Sequence, residues 1–168
     1  IESTIKKILL RNKSFNCLSK NSQVRSNSKN ISHLNIQQQR AVNLVNTQKI
    51  ILLSGGPGTG KTSTILQMLL QALTKDPTLG IGMAAPTGKA AKKLKETIQS
   101  GLKELEDPQK DKVSKIPCKT LHKWLEAGPN GFRRNSQRLL NLDLIIIDEM
   151  SMVELKIINA LLDALPKP

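Results

Sequence analysis

Short continuous apolar runs are the clearest pattern along the chain. Ile50–Leu53, Gly80–Ala85 and Leu142–Ile147 are runs of this kind, and their lengths suit strands buried on both faces. Between them, apolar residues recur three or four positions apart. This spacing predicts helices over residues 35–47, 62–74, 88–105, 120–125 and 153–165. Strands that alternate with helices predict βαβ units, and therefore an α/β fold with a parallel sheet flanked by helices.

Two stretches between these elements show neither pattern. Residues 106–117 are charged and contain two prolines, and residues 128–137 are rich in glycine, asparagine and arginine. Proline interrupts helices and central strands alike, and glycine weakens both. We therefore predict that both stretches are loops.

The first 33 residues differ from the rest of the chain. Ile5, Ile8 and Leu9 have the spacing of a short helix, but residues 12–32 are mostly asparagine, serine and lysine with few apolar positions. Such a composition cannot bury enough apolar surface to offset the entropy lost on ordering. We expect a basic tail or linker over residues 1–33, and one domain over residues 34–168.

Charge narrows the range of partners. The chain has 26 Lys and Arg against 13 Asp and Glu, a net charge of +13. A surplus of this size attracts polyanions, of which nucleic acid is the commonest. The alternatives are a solvated basic surface and a basic patch that serves an acidic protein partner. Aromatic residues make up only 2% of the chain, so its core must be aliphatic.

The two cysteines, Cys17 and Cys118, argue against a disulfide-stabilised protein and against a protein with a cysteine metal site. They form no CxxC pair and have no histidine pair beside them, so we expect neither a disulfide framework nor a metal site built on thiolates. This usage fits a reducing compartment such as the cytoplasm. No apolar run approaches the length that spans a bilayer and no signal peptide opens the chain, so we expect no membrane partner.

A phosphate-binding motif follows the first apolar run. Residues 55–62 match G-x-x-x-x-G-K-[ST] in full, between a predicted strand and a predicted helix, which is the context that the motif requires. Its glycines let backbone N–H groups turn towards phosphate oxygens, and the helix N-terminus adds partial positive charge. Lys61 is expected to reach the β- and γ-phosphates of ATP, and Thr62 to offer its hydroxyl to Mg²⁺. The nucleotide-binding residues predicted here are Gly55, Gly56, Pro57, Gly58, Thr59, Gly60, Lys61, Thr62 and Ser63.

Two carboxylates, Asp148 and Glu149, come directly after the strongest strand pattern. Ligands of open parallel sheets bind beyond the carboxyl ends of the strands, so Asp148 is expected beside the phosphate loop. It suits the Mg²⁺ site, and Glu149 suits activation of the attacking water. Both acids could instead only favour the start of the next helix. A complete phosphate loop in the same chain favours the catalytic interpretation.

Five segments in this order resemble the motifs of superfamily 1 helicases, and specifically of the RecD branch, the family of the exodeoxyribonuclease V alpha subunit. Each is short, but the set is far more specific than any one member. They are Leu34–Val42 (LNIQQQRAV), Gly55–Thr62 (GGPGTGKT), Ala85–Ala91 (APTGKAA), Thr120–His122 (TLH) and Asp148–Met152 (DEMSM).

The resemblance implies roles that composition does not reveal. Gln38 would recognise the adenine edge, since its amide both donates and accepts hydrogen bonds. The single-stranded DNA track would be lined by Pro86, Thr87, Gly88, Lys89, Thr120 and His122. Independently of the resemblance, Lys89 shares a short helix with Lys92, Lys93 and Lys95, which could contact phosphates or form a solvated face. Trp124 could stack on a base, but we expect it to pack against the domain.

The resemblance covers residues 34–168 and also shows what to expect beyond them. The helicases it points to need a G-D-x-x-Q element and arginines from a second motor domain, and neither lies in this sequence. We therefore expect a first motor domain truncated before its end, which binds nucleotide weakly and does not unwind DNA alone. The family implies 5′ to 3′ movement, and work either alone or within an exodeoxyribonuclease V-type complex. Another P-loop ATPase, of clamp-loader or DNA-transfer type, and a non-hydrolysing partner-binding module remain alternatives.

Overall fold

The computed structural model of the chain describes residues 34–56 and 58–166. The predicted tail over residues 1–33, with its short helix, lies outside the described residues, as does Pro57 of the phosphate motif. The elements in chain order are α1 (Ile36–Leu44), α2 (Lys61–Lys75), β1 (Ile81–Ala85), α3 (Gly88–Lys103), α4 (Lys110–Lys115), β2 (Cys118–Thr120), α5 (Leu121–Trp124), β3 (Ala127–Gly128), β4 (Gly131–Phe132), β5 (Leu144–Ile147), a 3₁₀ turn (Met150–Met152) and α6 (Leu155–Ala164).

The central sheet is parallel, with the order β2-β1-β5. Strand β1 is buried along its whole length and pairs with both neighbours, so that Met83 lies opposite Cys118 on one side and Ile146 on the other. Helix α5 begins directly after β2, and α3 begins at Gly88, after Pro86 and Thr87 have followed β1, so both helix N-termini lie at the carboxyl edge of the sheet. The predicted α/β fold is confirmed.

Two aliphatic clusters cover the two faces of the sheet. Side chains alternate across a strand, so Ile81 and Met83 of β1 join α2, α3 and α4 in the first cluster, whereas Ala84 joins α5 and α6 in the second. Leu69 of α2, which is 0% exposed, lies in the first cluster. None of the helices in the described part of the chain has the length and apolar character needed to cross a membrane.

The strand predicted over Ile50–Leu53 is not present. This segment has no regular secondary structure, and Ile50 is 48% and Leu52 70% exposed. Ile51 and Leu53 are half-buried, so exposure alternates as it does along an extended chain with one covered face. An apolar run becomes a buried strand only where neighbouring strands take up its backbone hydrogen bonds. The segment has no place in the described sheet, which ends at β5.

Three further differences are local. The loop predicted over residues 106–117 contains α4, which forms because Val113, 1% exposed, packs into the first cluster. Strand β2 is not among the predicted elements, since three residues are too few to show a pattern. Its first two residues follow the predicted loop and belong to no predicted element, and Thr120 falls at the start of the helix predicted over residues 120–125. The loop predicted over residues 128–137 includes part of a small antiparallel hairpin, β3–β4.

Candidate nucleotide site and basic groove

The phosphate loop owes its shape to glycine. Gly58 and Gly60 have φ values of 75° and 77°, in the left-handed region that other residues adopt at a cost. Helix α2 begins at Lys61, directly after Gly60. A Cβ on Gly55 would lie 2.6 Å from Thr59 Oγ1, so a side chain there would disturb the hydrogen bond from the Thr59 hydroxyl to the Gly56 carbonyl.

Lys61 turns its ammonium back over this loop. Its Nζ donates hydrogen bonds to the carbonyl oxygens of Gly55 and Gly56, at 2.6 and 2.8 Å, and the Thr59 hydroxyl donates to Gly56 at 2.9 Å. The loop therefore holds a positive charge beside its own curled backbone. An incoming phosphate would find a cation there, together with the N-terminal amides of α2.

Gln38 links helix α1 to the phosphate loop. Its Nε2 donates to the carbonyl oxygen of Thr59 at 3.0 Å. Its Oε1 accepts from the backbone N–H of Asn35 at 2.8 Å, and its own backbone N–H donates to Asn35 Oδ1 at 2.9 Å. Asn35 and Gln38 thus form a capping box at the start of α1.

The two acids follow β5 as expected. The Asp148 N–H donates to the carbonyl of Ala84 at 3.0 Å and so extends the pairing with β1 by one residue. Its Oδ1 accepts from the Glu149 N–H at 2.9 Å. Glu149 is exposed and has a φ of 53°, a strained conformation for a residue with a side chain. Such strain is often found at functional sites.

No ion pair joins Lys61 to Asp148 or Glu149 within the described residues. In the same part of the chain, no group of three or more His, Cys, Asp or Glu side chains could hold a metal by itself. Mg²⁺ in nucleotide sites typically takes one or two protein ligands and fills the remaining positions with phosphate oxygens and water. A half-buried Asp148 beyond the sheet edge and a hydroxyl at Thr62 therefore fit that ion without a preformed cage.

A basic groove lies beside this edge of the sheet, between the first turns of α3 and the β2–α5 segment. Its volume is about 270 Å³. Thr87 and Thr120 cap the two helices, accepting from the N–H groups of Ala90 and Lys123 at 3.2 Å each. The groove is lined by Gly88, Ala91, Lys92, Lys95, Cys118, Lys119, Thr120 and Lys123.

Four lysines give this groove its charge. Lys92 and Lys95 come from α3, and the structure brings Lys119 and Lys123 opposite them. Lys92 also forms a long, exposed ion pair with Glu96 at 3.8 Å, which leaves its charge largely available. Lys119 and Lys123 were missed in the sequence, although they directly flank Thr120–His122. Lys89 and Lys93 are exposed and do not line the groove.

Cys118 lines the groove and is half-buried. Its thiol donates to the carbonyl oxygen of Ala91 at 3.1 Å. Burial raises the pKa of this thiol above its ordinary value, whereas the charge of Lys95 lowers it and that of Asp148 raises it.

The expectation that Trp124 packs against the domain is confirmed. Its indole N–H donates to the Met83 carbonyl at 2.9 Å, and its ring packs on the second cluster. Lys119 Nζ lies 4.8 Å from the ring centroid, within cation–π range. His122 is exposed and its ring lies 6.3 Å from that of Phe132 in β4, so it faces the hairpin.

A parallel α/β sheet, a glycine loop that leads into α2 and two acids that follow β5 together define a P-loop NTPase. In agreement, a family model described as an AAA domain matches residues 38–168, and the chain belongs to this family.

Several curated proteins similar to this chain are of the RecD type. The chain is 37% identical to the RecBCD enzyme subunit RecD of Mycobacterium tuberculosis over 134 residues, which are 76% of this chain and 23% of that protein. It is 42% identical to the Haemophilus influenzae subunit, over 68% of this chain and 19% of that protein. It is 33% identical to the ATP-dependent RecD2 DNA helicase of Deinococcus radiodurans, over 79% of this chain and 16% of that protein. The resemblance that the five motifs indicated is confirmed, and the chain spans less than a quarter of the length of these relatives.

Proposed function

We propose that this chain is the nucleotide-binding part of an ATP-driven DNA helicase or translocase that acts in recombination and repair. The observation that carries the proposal is the phosphate loop, which is complete in sequence and leads into α2 at Lys61. The names of the similar proteins, a DNA helicase among them, support the coupling to DNA.

The site residues divide the chemistry between them. Lys61 would leave the carbonyls of Gly55 and Gly56 to bind the β- and γ-phosphates. Thr62 and Asp148 would hold Mg²⁺, which neutralises charge on the phosphates. Glu149 would accept a proton from the attacking water. Gln38 would face the adenine.

A first test is ATP turnover by the full-length protein with and without single-stranded DNA, beside its Lys61→Ala variant. We expect turnover that rises with DNA and falls by at least about a hundredfold in the variant, because a cation that stabilises transferring phosphate contributes several kcal/mol. Lys103→Ala, an exposed lysine at the far end of α3, is the matched control. Turnover indifferent to DNA would favour another P-loop ATPase, and turnover unchanged in Lys61→Ala would refute the catalytic assignment.

The basic groove supports the second part of the proposed function, which is binding of DNA. We propose that Lys92, Lys95, Lys119 and Lys123 contact backbone phosphates beside the predicted track of Pro86, Thr87, Gly88, Lys89, Thr120 and His122. Four cations around one groove attract a polyanion more strongly than the same charges spread over a surface.

A second test measures binding of labelled single-stranded DNA at several salt concentrations. Lys119→Ala and Lys123→Ala should each weaken binding, and each should lower the slope of log affinity against log salt by about 0.7, because each lost phosphate contact releases fewer counterions. Lys103→Ala should leave the slope unchanged. Equal slopes for the wild type and both groove variants would remove the groove from the DNA site.

Three finer points follow from the family resemblance. We propose 5′ to 3′ movement, and we expect that this chain alone does not separate strands, since a motor needs two lobes that close on the nucleotide. The names of its relatives as RecBCD subunits support other subunits of an exodeoxyribonuclease V-type complex as partners. The cysteine usage supports work in the cytoplasm.

A further inference from the structure

The side chain of Gln38 is held at both ends of its amide. Oε1 accepts from the Asn35 N–H, and Nε2 donates to the Thr59 carbonyl oxygen. Exchanging the two ends would place donor against donor and acceptor against acceptor, so the two partners fix the orientation of the amide. The contact is also close, since a Cβ on Gly60 would lie 2.6 Å from Nε2.

This contact sets the direction of one peptide unit in the phosphate loop. In a trans peptide the C=O and the following N–H point to opposite sides. Gln38 holds the Thr59 C=O towards α1, so the Gly60 N–H points away from α1. The peptide leads into a glycine at φ 77°, which has more conformational freedom to lose than any other residue.

We propose that Gln38 is a positioning residue of the phosphate loop and that Asn35 holds it in place. Together they fix the Thr59–Gly60 peptide before any ligand arrives, and this prepares the loop for phosphate whether or not the ligand carries a base. The inference rests on the proposed binding of nucleotide at residues 55–62.

This role is compatible with recognition of adenine. An amide has two N–H donors and two acceptor lone pairs on its oxygen, and the two bonds observed use one of each. Gln38 can therefore face a base with its remaining donor and lone pair while both bonds persist. Gln38 would then bind the base with its side chain and, through its contact with Thr59, also position the loop that binds the phosphates.

A ligand without a base separates the two roles. Binding of inorganic tripolyphosphate and of ATP, each with Mg²⁺, is measured by calorimetry for the wild-type chain and four neutral variants. Gln38→Met removes the contact with Thr59, and Asn35→Ala removes the side-chain cap. Asn35→Ser keeps a capping oxygen in the Ser-x-x-Gln pattern of a capping box. Gln37→Met, at an exposed neighbouring position on α1, is the matched control.

We expect Gln38→Met to weaken tripolyphosphate binding about three- to tenfold, the range that corresponds to the loss of one net hydrogen bond. Asn35→Ala should act in the same direction, Asn35→Ser should recover most of that loss, and Gln37→Met should bind as the wild type does. If Gln38→Met loses affinity for ATP but binds tripolyphosphate as the wild type does, Gln38 serves the base alone and the inference is wrong. If the wild type binds neither ligand, the proposed function fails as well.

Discussion

At the scale of single residues, Gly82 and Trp124 show how a missing side chain shapes the core. A Cβ on Gly82 would lie 2.8 Å from Trp124 Cζ2 and 3.0 Å from Leu142 Cδ1. The indole cannot easily move away, because its N–H is bonded to the Met83 carbonyl. The Trp124 ring also lies within cation–π range of Lys119, which lines the groove. The contact between Gly82 and Trp124 is therefore linked to the proposed DNA site through Lys119.

We therefore expect Gly82→Ala to lower the free energy of unfolding by about 1–3 kcal/mol, the usual cost of overpacking a core. A reduced entropy of the unfolded chain would offset only part of this. Urea unfolding, followed by the fluorescence of Trp124, measures the change. Gly128→Ala, where a Cβ meets nothing within 4 Å, should change stability by less than about 0.5 kcal/mol. Equal effects of the two substitutions would contradict the packing argument.

At the scale of elements, Glu126 clamps the base of the β3–β4 hairpin. Its Oε1 accepts from Arg134 Nε at 2.8 Å, and its Oε2 lies 3.3 Å from Arg138. Glu126 has a φ of 51°, so the chain turns sharply where the hairpin begins. The hydrogen bond from Arg134, aided by the nearby arginine charges, lowers the pKa of Glu126 below its ordinary value of 4.5.

This shift predicts how the clamp depends on pH. Because the pKa is lower in the folded protein, Glu126 stabilises the fold above pH 4.5, and this contribution is lost as the pH falls through the lowered pKa. Glu126→Gln should therefore reduce thermal stability more at pH 7 than at pH 3. Glu96→Gln, from an exposed i,i+4 pair, should have little effect at either pH. A Glu126→Gln effect of equal size at both pH values would refute the role of its charge.

At the scale of the whole molecule, the three-stranded sheet brings polar residues from three distant segments to one edge. The carboxyl ends of its strands carry Asp148, Thr87 and Thr120 within three residues of the strands. The Ile50–Leu53 segment stays outside this sheet, although its composition alone suits a central strand.

Truncating one leucine of the Ile50–Leu53 segment and one leucine of the core tests whether this segment is buried as a central strand would be. Leu52→Ala should change the free energy of unfolding by less than about 0.5 kcal/mol, because the side chain is 70% exposed. Leu69→Ala should cost about 2–5 kcal/mol, because Leu69 is 0% exposed. Urea unfolding of both variants gives the comparison. A loss of 2 kcal/mol or more in Leu52→Ala would mean that the segment is a buried strand after all.

The sequence by itself determined the features that depend on local spacing. Three features follow from residues only a few positions apart: the phosphate motif, the alternation of strands and helices, and the helix starts at Asn35, Thr87 and Thr120. Their patterns can therefore be recognised in the sequence alone. Only the tertiary structure decided which distant segments meet. It placed Lys119 and Lys123 opposite Lys92 and Lys95, joined Gln38 to Thr59 across 21 positions and left Ile50–Leu53 outside the sheet. Pairing and packing between distant segments depend on the whole chain, and no local pattern encodes them.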